Sequence, residues 1–223
     1  MDWISCSLRY GTSKEDKVFE KLILNLPWES YTAQKAHQYA KNILKRRWKE
    51  GEQAICSSPH YAYQYAKFVI KGRWPEAESG IMKHPNTAYL YAKYILKRRW
   101  PEAEENAKWH TSIGDFYYYC KFVRKSRWVE IEKKIEKDSK KGWTNVCHIV
   151  NYARFVSKTR WKNMEEHIAK SHYIKEYMKV LTDPNDREDF YNRVLMCALD
   201  DSNKYGYNHA KEYIKHHAVV QTN

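Results

Sequence analysis

Hydrophobic and polar positions recur along the chain with the period of an α-helix, and the whole pattern is repeated five times. Each copy contains a tyrosine that we number as position 0. With a turn of about 100° per residue, the small residue at +1 shares one face with apolar residues at −3, at +4 and, in three copies, at +5. Basic residues at +2 and +6 fall on the opposite side. Each copy therefore predicts an amphipathic helix of about three to four turns. The five tyrosines are Tyr39, Tyr65, Tyr91, Tyr119 and Tyr152.

A tryptophan closes each copy nine residues after its tyrosine, and a second, shorter helix is predicted directly after it. Pro75 and Pro101 each follow one of these tryptophans, and proline is favoured in the first turn of a helix. Glutamates come next, where they complement the positive end of the helix dipole. Each copy is thus predicted to be a helical hairpin whose second helix has about two turns. The five tryptophans are Trp48, Trp74, Trp100, Trp128 and Trp161.

The spacing of the copies predicts the fold class. Successive copies are about 26 to 33 residues apart, and a period of this length indicates a repeat array. The sequence therefore predicts an all-α fold, an α-solenoid of about five helical hairpins over residues 33–170. A degenerate copy within residues 1–32 is expected to cap one end. Residues 171–223 are expected to form a locally acidic helical cap at the other end.

Each of these tryptophans is preceded by an arginine and followed four residues later by a glutamate. An exposed Arg-Trp pair could hold phosphate and stack on a base. A hairpin, however, needs a large side chain to fill the corner between its helices, and the Arg and Glu recur together in every copy. We therefore predict that the tryptophans form the repeat core. The Arg and Glu are predicted to form a clamp, either within one copy or between neighbouring copies.

Two rows of basic residues are the candidate binding site. On an α-helix positions +2 and +6 are neighbours, where like charges cost about 0.2–0.5 kcal/mol. A solvated face usually mixes charges of both signs, so a single-sign surface favours partner binding, although inheritance of the pattern by repeat duplication also explains it. The inner basic row is Lys41, Lys67, Lys93, Lys121 and Arg154, and the outer basic row is Lys45, Lys71, Lys97, Lys125 and Lys158.

Composition narrows the classes of partner and of chemistry. The chain carries 40 Lys and Arg against 27 Asp and Glu, a net charge of +13, which favours polyanions or an acidic protein partner. It contains no phosphate-binding loop and no dinucleotide-binding, metalloprotease or serine-hydrolase motif. Its histidines and cysteines lack metal-ligand spacing, and its glutamates repeat identically, whereas a catalytic site needs one unique constellation. We expect no enzyme activity, no cofactor and no metal.

The expected location follows from the cysteines and the apolar stretches. Five scattered cysteines without a CxxC pair indicate free thiols in a reducing compartment. No apolar stretch reaches the roughly 18 residues that cross a bilayer, and the first residues lack the apolar centre of a signal peptide. We therefore expect a cytoplasmic protein that has no membrane partner.

The phrase YAKxxIKxRWPEAE, clearest from Tyr65 and from Tyr91, resembles a short helical-hairpin repeat of bacteriophage-encoded proteins. The match covers residues 33–170 and is strongest over 59–104, while the last two copies lack the proline. The resemblance implies an α-solenoid and a viral origin. It also implies binding of a host factor such as a defence nuclease, because small phage proteins without enzyme motifs commonly act in that way.

Two functions remain open at this point. The first is a non-enzymatic protein-binding module, a phage-encoded inhibitor of a host defence complex such as a CRISPR or nuclease complex. Its partner would be a protein or a ribonucleoprotein in the host cytoplasm. The alternative is DNA or RNA binding, with the basic rows on the phosphates. With the tryptophans assigned to the core, the sequence offers no evident base-stacking surface, and this favours the first function.

Overall fold

The computed structural model describes residues 14–26, 29–139, 145–199, 208 and 211. These residues form thirteen α-helices joined by short turns, and no β-strand occurs among them. The predicted all-α class is confirmed. The chain divides into two compact units, Met1–Lys108 and Trp109–Asn223, and each is described by itself. The predicted solenoid joins hairpins of both units and stays a prediction, and much of both predicted caps lies outside the described residues.

The first unit is built from hairpins whose first helices lie side by side. Helix α2 packs against α3 and α4, and α4 in turn packs against α5 and α6. Helix α1 packs against α2 at the start of the unit. The helices are α1 (Lys14–Leu24), α2 (Glu29–Gln38), α3 (Glu52–Cys56), α4 (Pro59–Tyr65), α5 (Pro75–Ile81), α6 (Pro85–Tyr91) and α7 (Pro101–Asn106), with a 3-10 turn at Lys49–Gly51.

The second unit continues the helical pattern and ends in a longer helix. Helix α8 packs against α10, and α11 contacts α10, α12 and α13. The helices are α8 (Ile113–Tyr119), α9 (Val129–Ser139), α10 (Val146–Tyr152), α11 (Glu165–Ala169), α12 (Ile174–Met178) and α13 (Pro184–Ala198), with 3-10 turns at Trp109–Thr111 and Lys162–Met164.

Proline begins several of these helices, as the sequence predicts for Pro75 and Pro101, and an aspartate caps α13. Pro75 and Pro101 both occupy the first turn of a second helix, where a missing amide hydrogen costs no intrahelical bond. At α13 the Asp183 carboxylate accepts a hydrogen bond of 2.8 Å from the Asn185 amide, which satisfies a free donor at the helix start. The predicted helix starts at Pro75 and Pro101 are confirmed.

Every first helix finishes in a π-helical segment. In a π-helix each amide bonds the carbonyl five residues back, so the side chains turn by less than the 100° that the sequence analysis assumed. Most side chains at +4 and +5 therefore leave the core, and Ile43 is 40% exposed. The predicted apolar face is therefore fully buried at −3 and +1 but mostly only half-buried at +4 and +5. The π segments are Tyr39–Leu44, Ala66–Ile70, Ala92–Leu96, Cys120–Arg124 and Ala153–Ser157.

The core of each unit is formed by the residues at positions 0 and +1 together with the tryptophans. The tyrosines at position 0 are all buried, and the Ala or Cys at +1 is fully buried in every copy. A small side chain there lets a neighbouring backbone approach closely. Cys56, Cys120, Cys147 and Cys197 are free thiols, and Cys6 lies outside the described residues. Within the described ranges, no helix is long and apolar enough to cross a membrane.

Candidate functional site

The arginine and glutamate of each copy form a two-pronged ion pair within that copy. Arg73 Nε donates to Glu78 Oε1 at 2.7 Å, and its Nη2 donates to Oε2 at 2.8 Å. The same fork recurs in every copy, so the clamp is an intra-repeat pair, a choice that the sequence left open. The pairs are Arg47–Glu52, Arg73–Glu78, Arg99–Glu104, Arg127–Glu132 and Arg160–Glu165.

A tyrosine of the following copy joins this pair and links neighbouring hairpins. The Tyr91 hydroxyl accepts a 2.7 Å hydrogen bond from the Trp74 amide and donates a 3.1 Å bond to Glu78. We call this set of Arg, Glu, Trp amide and next tyrosine the clamp. Within the first unit it also joins Tyr65 to Trp48 and Glu52, and within the second unit Tyr152 to Trp128 and Glu132.

Tyr177 completes the last clamp and was missed by the sequence analysis, which ended the repeats at residue 170. Its hydroxyl accepts a 2.8 Å bond from the Trp161 amide and donates a 3.1 Å bond to Glu165. The spacing from tryptophan to the next tyrosine could have found it. Tyr177 follows Trp161 by 16 residues, and Tyr91 follows Trp74 by 17.

The clamp neutralises its own charge and keeps its aromatic rings inside. Hydrogen bonds from Arg73 hold the pKa of the Glu78 carboxyl below its usual value. Burial raises the pKa of Tyr65 to about 12, so this hydroxyl keeps its proton at neutral pH. The five repeat tryptophans are 1% to 7% exposed. The clamp therefore offers neither net charge nor a stacking surface to a partner.

The outer basic row lies beyond the helices, contrary to the prediction that it continues them. Each of its lysines ends a π segment in the left-handed conformation, with φ between 53° and 58°. In the second copy the Lys71 and Gly72 amides both donate to the Ala66 carbonyl, which closes the helix end. Because the backbone is left-handed at these lysines, the two basic rows are not the i,i+4 neighbours on one helix that the sequence analysis predicted. All five side chains are exposed.

The inner basic row lies among aromatic rings. Lys67 Nζ is 5.2 Å from the centre of the Phe68 ring and 4.4 Å from the centre of the Tyr94 ring in the next copy. Lys41 Nζ lies 4.3 Å from the Phe68 ring centre in the same way. Lys93 Nζ donates a 2.8 Å hydrogen bond to the Tyr89 hydroxyl, which raises the lysine pKa. Ammonium groups and rings therefore alternate along this face of the first unit.

The second unit repeats this alternation with one difference. Lys121 Nζ is 5.4 Å from the centre of the Phe122 ring and 4.4 Å from that of Phe155. The guanidinium of Arg154 lies 4.9 Å from the Phe155 ring centre, but it also forms an ion pair with Glu176. The charge of Arg154 is therefore neutralised, unlike that of Lys121 at the same repeat position in the other copy of this unit.

An aromatic row at position +3 is the feature that the sequence analysis missed. Its four rings are 42% to 46% exposed, although large apolar side chains are normally buried. The signal in the sequence was an aromatic residue at +3 in four of five copies, with Asn42 in the first. We call this row and the inner basic row together the cation–aromatic surface. The aromatic row consists of Phe68, Tyr94, Phe122 and Phe155.

The positive charge of the two basic rows is largely uncompensated. Apart from Lys93 and Arg154, no member of either row forms a salt bridge within the described residues. The glutamates four residues after each tryptophan are occupied by the clamp arginines instead. Each unit therefore carries surface lysines whose charges are available to a partner.

Comparison with known proteins does not add to this description, because no family model, curated protein or solved structure matches the chain. The likeness to bacteriophage repeats stays a prediction. Within the part of the chain that the structure describes, no three His, Cys, Asp or Glu side chains come together as a metal site. Function is therefore inferred from the basic rows and the cation–aromatic surface.

Proposed function

We propose that the protein is a non-enzymatic nucleic-acid-binding protein whose basic rows contact phosphates. The observation that carries this proposal is the outer basic row, in which every copy places a lysine in the left-handed conformation. That conformation costs an ordinary residue about 1–2 kcal/mol, and helix ends of this kind usually use glycine or asparagine. The presence of a lysine there in all five copies indicates that its charged side chain has a role beyond closing the helix end.

The helix dipole accounts for part of this choice. A cation near a helix C-terminus gains about 0.3–1 kcal/mol, which offsets some of the conformational cost. It does not account for the lysines of the inner basic row, which lie among aromatic rings on the same hairpins. A lysine of the outer basic row on every hairpin, joined on several hairpins by an unpaired lysine of the inner row, suits a linear polyanion better than a compact acidic patch.

Salt-dependent binding of labelled nucleic acid tests this proposal. We would measure fluorescence anisotropy of a labelled oligonucleotide with the wild type and with Lys71→Asn/Lys97→Asn, since asparagine tolerates the left-handed conformation. Each lost contact is expected to weaken binding about fivefold and to flatten the slope of log K against log salt by about 0.7 to 0.9. Lys83→Asn, at an exposed lysine outside both rows, is the matched control.

The control should leave both the affinity and the salt slope unchanged. Equal binding by the wild type and by the double variant would contradict a role of the outer basic row. Absence of binding to DNA and RNA at low salt would overturn the proposed function as a whole.

A second function, the protein-binding module suggested by the sequence, is favoured by a separate observation on helix α1. Val18, Phe19 and Leu22 are 52% to 62% exposed. Phe19 and Leu22 also line a groove of about 430 Å³, together with Ile43. An exposed apolar patch of this kind is typical of a protein interface. On this proposal the partner is a host defence complex, and the protein acts as a phage inhibitor in the host cytoplasm.

Capture from host lysate with nuclease treatment separates this function from the first. A complex retained after nuclease by the wild type and by Lys21→Glu, but lost with Leu22→Glu, would support protein binding through α1. Lys21 is exposed on the same helix, so its variant controls for the added negative charge. Loss of all captured protein after nuclease would contradict the inhibitor proposal.

A further inference from the structure

We infer that the aromatic row is a base-stacking surface, and that the nucleic acid it takes is single-stranded. This inference rests on the proposed function and adds a ligand class to it. It is based on the exposed rings at position +3, an observation that is independent of the left-handed lysines. Phe68 and Tyr94 form this row in the first unit, and Phe122 and Phe155 form it in the second.

The hairpin core does not require these rings, although each of them contacts a lysine ammonium of the inner basic row. The packing of the repeat is supplied by the buried tyrosines and tryptophans, and the +3 rings lie outside it at 42% to 46% exposure. An aliphatic side chain would cover the stem of the neighbouring lysine equally well. A planar ring adds a face on which a nucleobase stacks, and such stacking is tolerant of sequence because every base has a π-face.

The lysines place a cation beside each stacking position. Lys67 Nζ lies within 5.2 Å of the Phe68 ring centre and within 4.4 Å of the Tyr94 ring centre. A base stacked on either ring therefore has an ammonium group within reach of its phosphate. Lys121 stands in the same relation to Phe122 and Phe155 in the second unit. Each unit thus offers two ring positions, one per repeat, beside a lysine that forms no ion pair within the described residues, Lys67 in the first unit and Lys121 in the second.

Duplex nucleic acid cannot use these rings. Its bases are already paired and stacked on each other, so only their edges and the phosphates face a protein. Duplex binding would therefore depend on the lysines alone, whereas single-strand binding would depend on the lysines and the rings. This difference gives the inference a test that the proposed function does not share.

The test compares three probes on the wild type and on Phe68→Leu/Tyr94→Leu. The probes are an oligothymidine of about 12 nucleotides, an abasic strand of the same length and a hairpin duplex, all measured by anisotropy at one salt concentration. The double variant should bind the oligothymidine about thirtyfold more weakly or worse, because it loses two stacked bases. Its affinity for the duplex should stay within about twofold of the wild type.

Two controls keep the result interpretable. Phe19→Leu removes an exposed ring outside the row and should leave all affinities unchanged. The abasic strand on the unaltered protein needs no substitution, and should bind about as weakly as the oligothymidine binds the double variant. An oligouridine of the same length, measured in parallel, shows whether RNA or DNA is the tighter ligand.

The outcomes distinguish the inference from the proposed function. Preference for the oligothymidine over both the abasic strand and the duplex, lost in the double variant, supports the stacking surface. Equal affinities for all three probes, unchanged in the double variant, overturn the inference and leave phosphate binding intact. Binding of none of the probes overturns both.

Discussion

In the clamp, Arg73 is paired with Glu78 and Trp74 is buried, whereas on the cation–aromatic surface Lys67 has no acidic partner among the described residues and the neighbouring Tyr94 ring is exposed. Both sets combine a cation with an aromatic residue, and both recur in the hairpins of each unit. The clamp satisfies its charges and hydrogen bonds internally. The cation–aromatic surface leaves most of its charge without an ion pair and its rings 42% to 46% exposed.

This difference shows why recurrence alone does not reveal function. A repeated Arg-Trp motif has the composition of a nucleic-acid site, but its geometry is that of a hairpin core with an ion pair whose glutamate is largely buried. The lysines and rings at positions +2 and +3 have a less conspicuous sequence pattern, yet they keep the free groups that a polyanion needs. Substitutions in the clamp should therefore affect folding, whereas substitutions in the basic rows or the aromatic row should affect binding.

The largest effect is expected from breaking the clamp at Glu78. Glu78→Gln removes the charge that faces Arg73 and replaces with an NH2 donor one of the two oxygens that accept from Arg73 and from the buried Tyr91 hydroxyl. We expect a loss of about 2–4 kcal/mol of unfolding free energy, measured by chemical denaturation. Glu76→Gln, at an exposed glutamate on the same helix, should change the unfolding free energy by less than about 0.5 kcal/mol.

A smaller loss is expected at Gly51, which lies against the repeat core. A Cβ atom there would overlap the Trp48 ring, so Gly51→Ala should cost about 1–3 kcal/mol of unfolding free energy. Gly72, beside Lys71 of the outer basic row, has open space where a Cβ would be. Gly72→Ala should be neutral or slightly stabilising in thermal unfolding. Similar losses in the two variants would contradict the proposed division between core and binding face.

His37 tests how the positive surface acts on the core beneath it. Its ring is 6% exposed, and neither ring nitrogen has a hydrogen-bond partner within the described residues. Burial, and then the charges of Lys41 and His60, lower its pKa to about 4 from 6.5. Between these two pKa values the unfolded state binds more protons, so the unfolding free energy falls as pH is lowered through that window.

The expected loss at this site is about 2 kcal/mol between pH 7.5 and pH 5. His37→Phe should remove most of this pH dependence in denaturation experiments at the two pH values. His84→Gln, at an exposed histidine, should retain it. A pH dependence in His37→Phe as steep as that of the wild type would place its origin elsewhere.

The smallest effect is expected in the outer basic row and has the opposite sign. Lys71→Asn should raise the unfolding free energy by about 0.5–1 kcal/mol, because asparagine accepts the left-handed conformation at lower cost. Lys67→Asn, on the helix of the same copy, should lower it by about 0.5 kcal/mol through poorer helix propensity. Stabilisation combined with weaker nucleic-acid binding in Lys71→Asn would identify a lysine kept for binding. Destabilisation would show that the helix end itself requires it.

Much of the fold could be predicted from the sequence, because its signals are local. The prolines mark helix starts, and the recurrence of Tyr, Arg, Trp and Glu marks the hairpins. The candidate site could be predicted only in part. Its basic residues were found, but its rings were not, because position +3 lies outside both the apolar face and the basic rows that the helical pattern defined. Tyr177 was missed because the residues around it lack the rest of the repeat pattern, although the tyrosine itself completes a clamp.

The sequence by itself determined that this chain is all-α and built from repeated helical hairpins, because apolar periodicity and turn residues act over one or two helical turns. Only the tertiary structure decided which charges are free. The fork from Arg73 to Glu78, completed by Tyr91 from the next copy, requires side chains from two hairpins to meet. The exposure of Phe68 and the left-handed turn at Lys71 are likewise visible only in the structure. The bond from Tyr91 to Glu78 joins two hairpins, so the pattern of a single helix does not encode it.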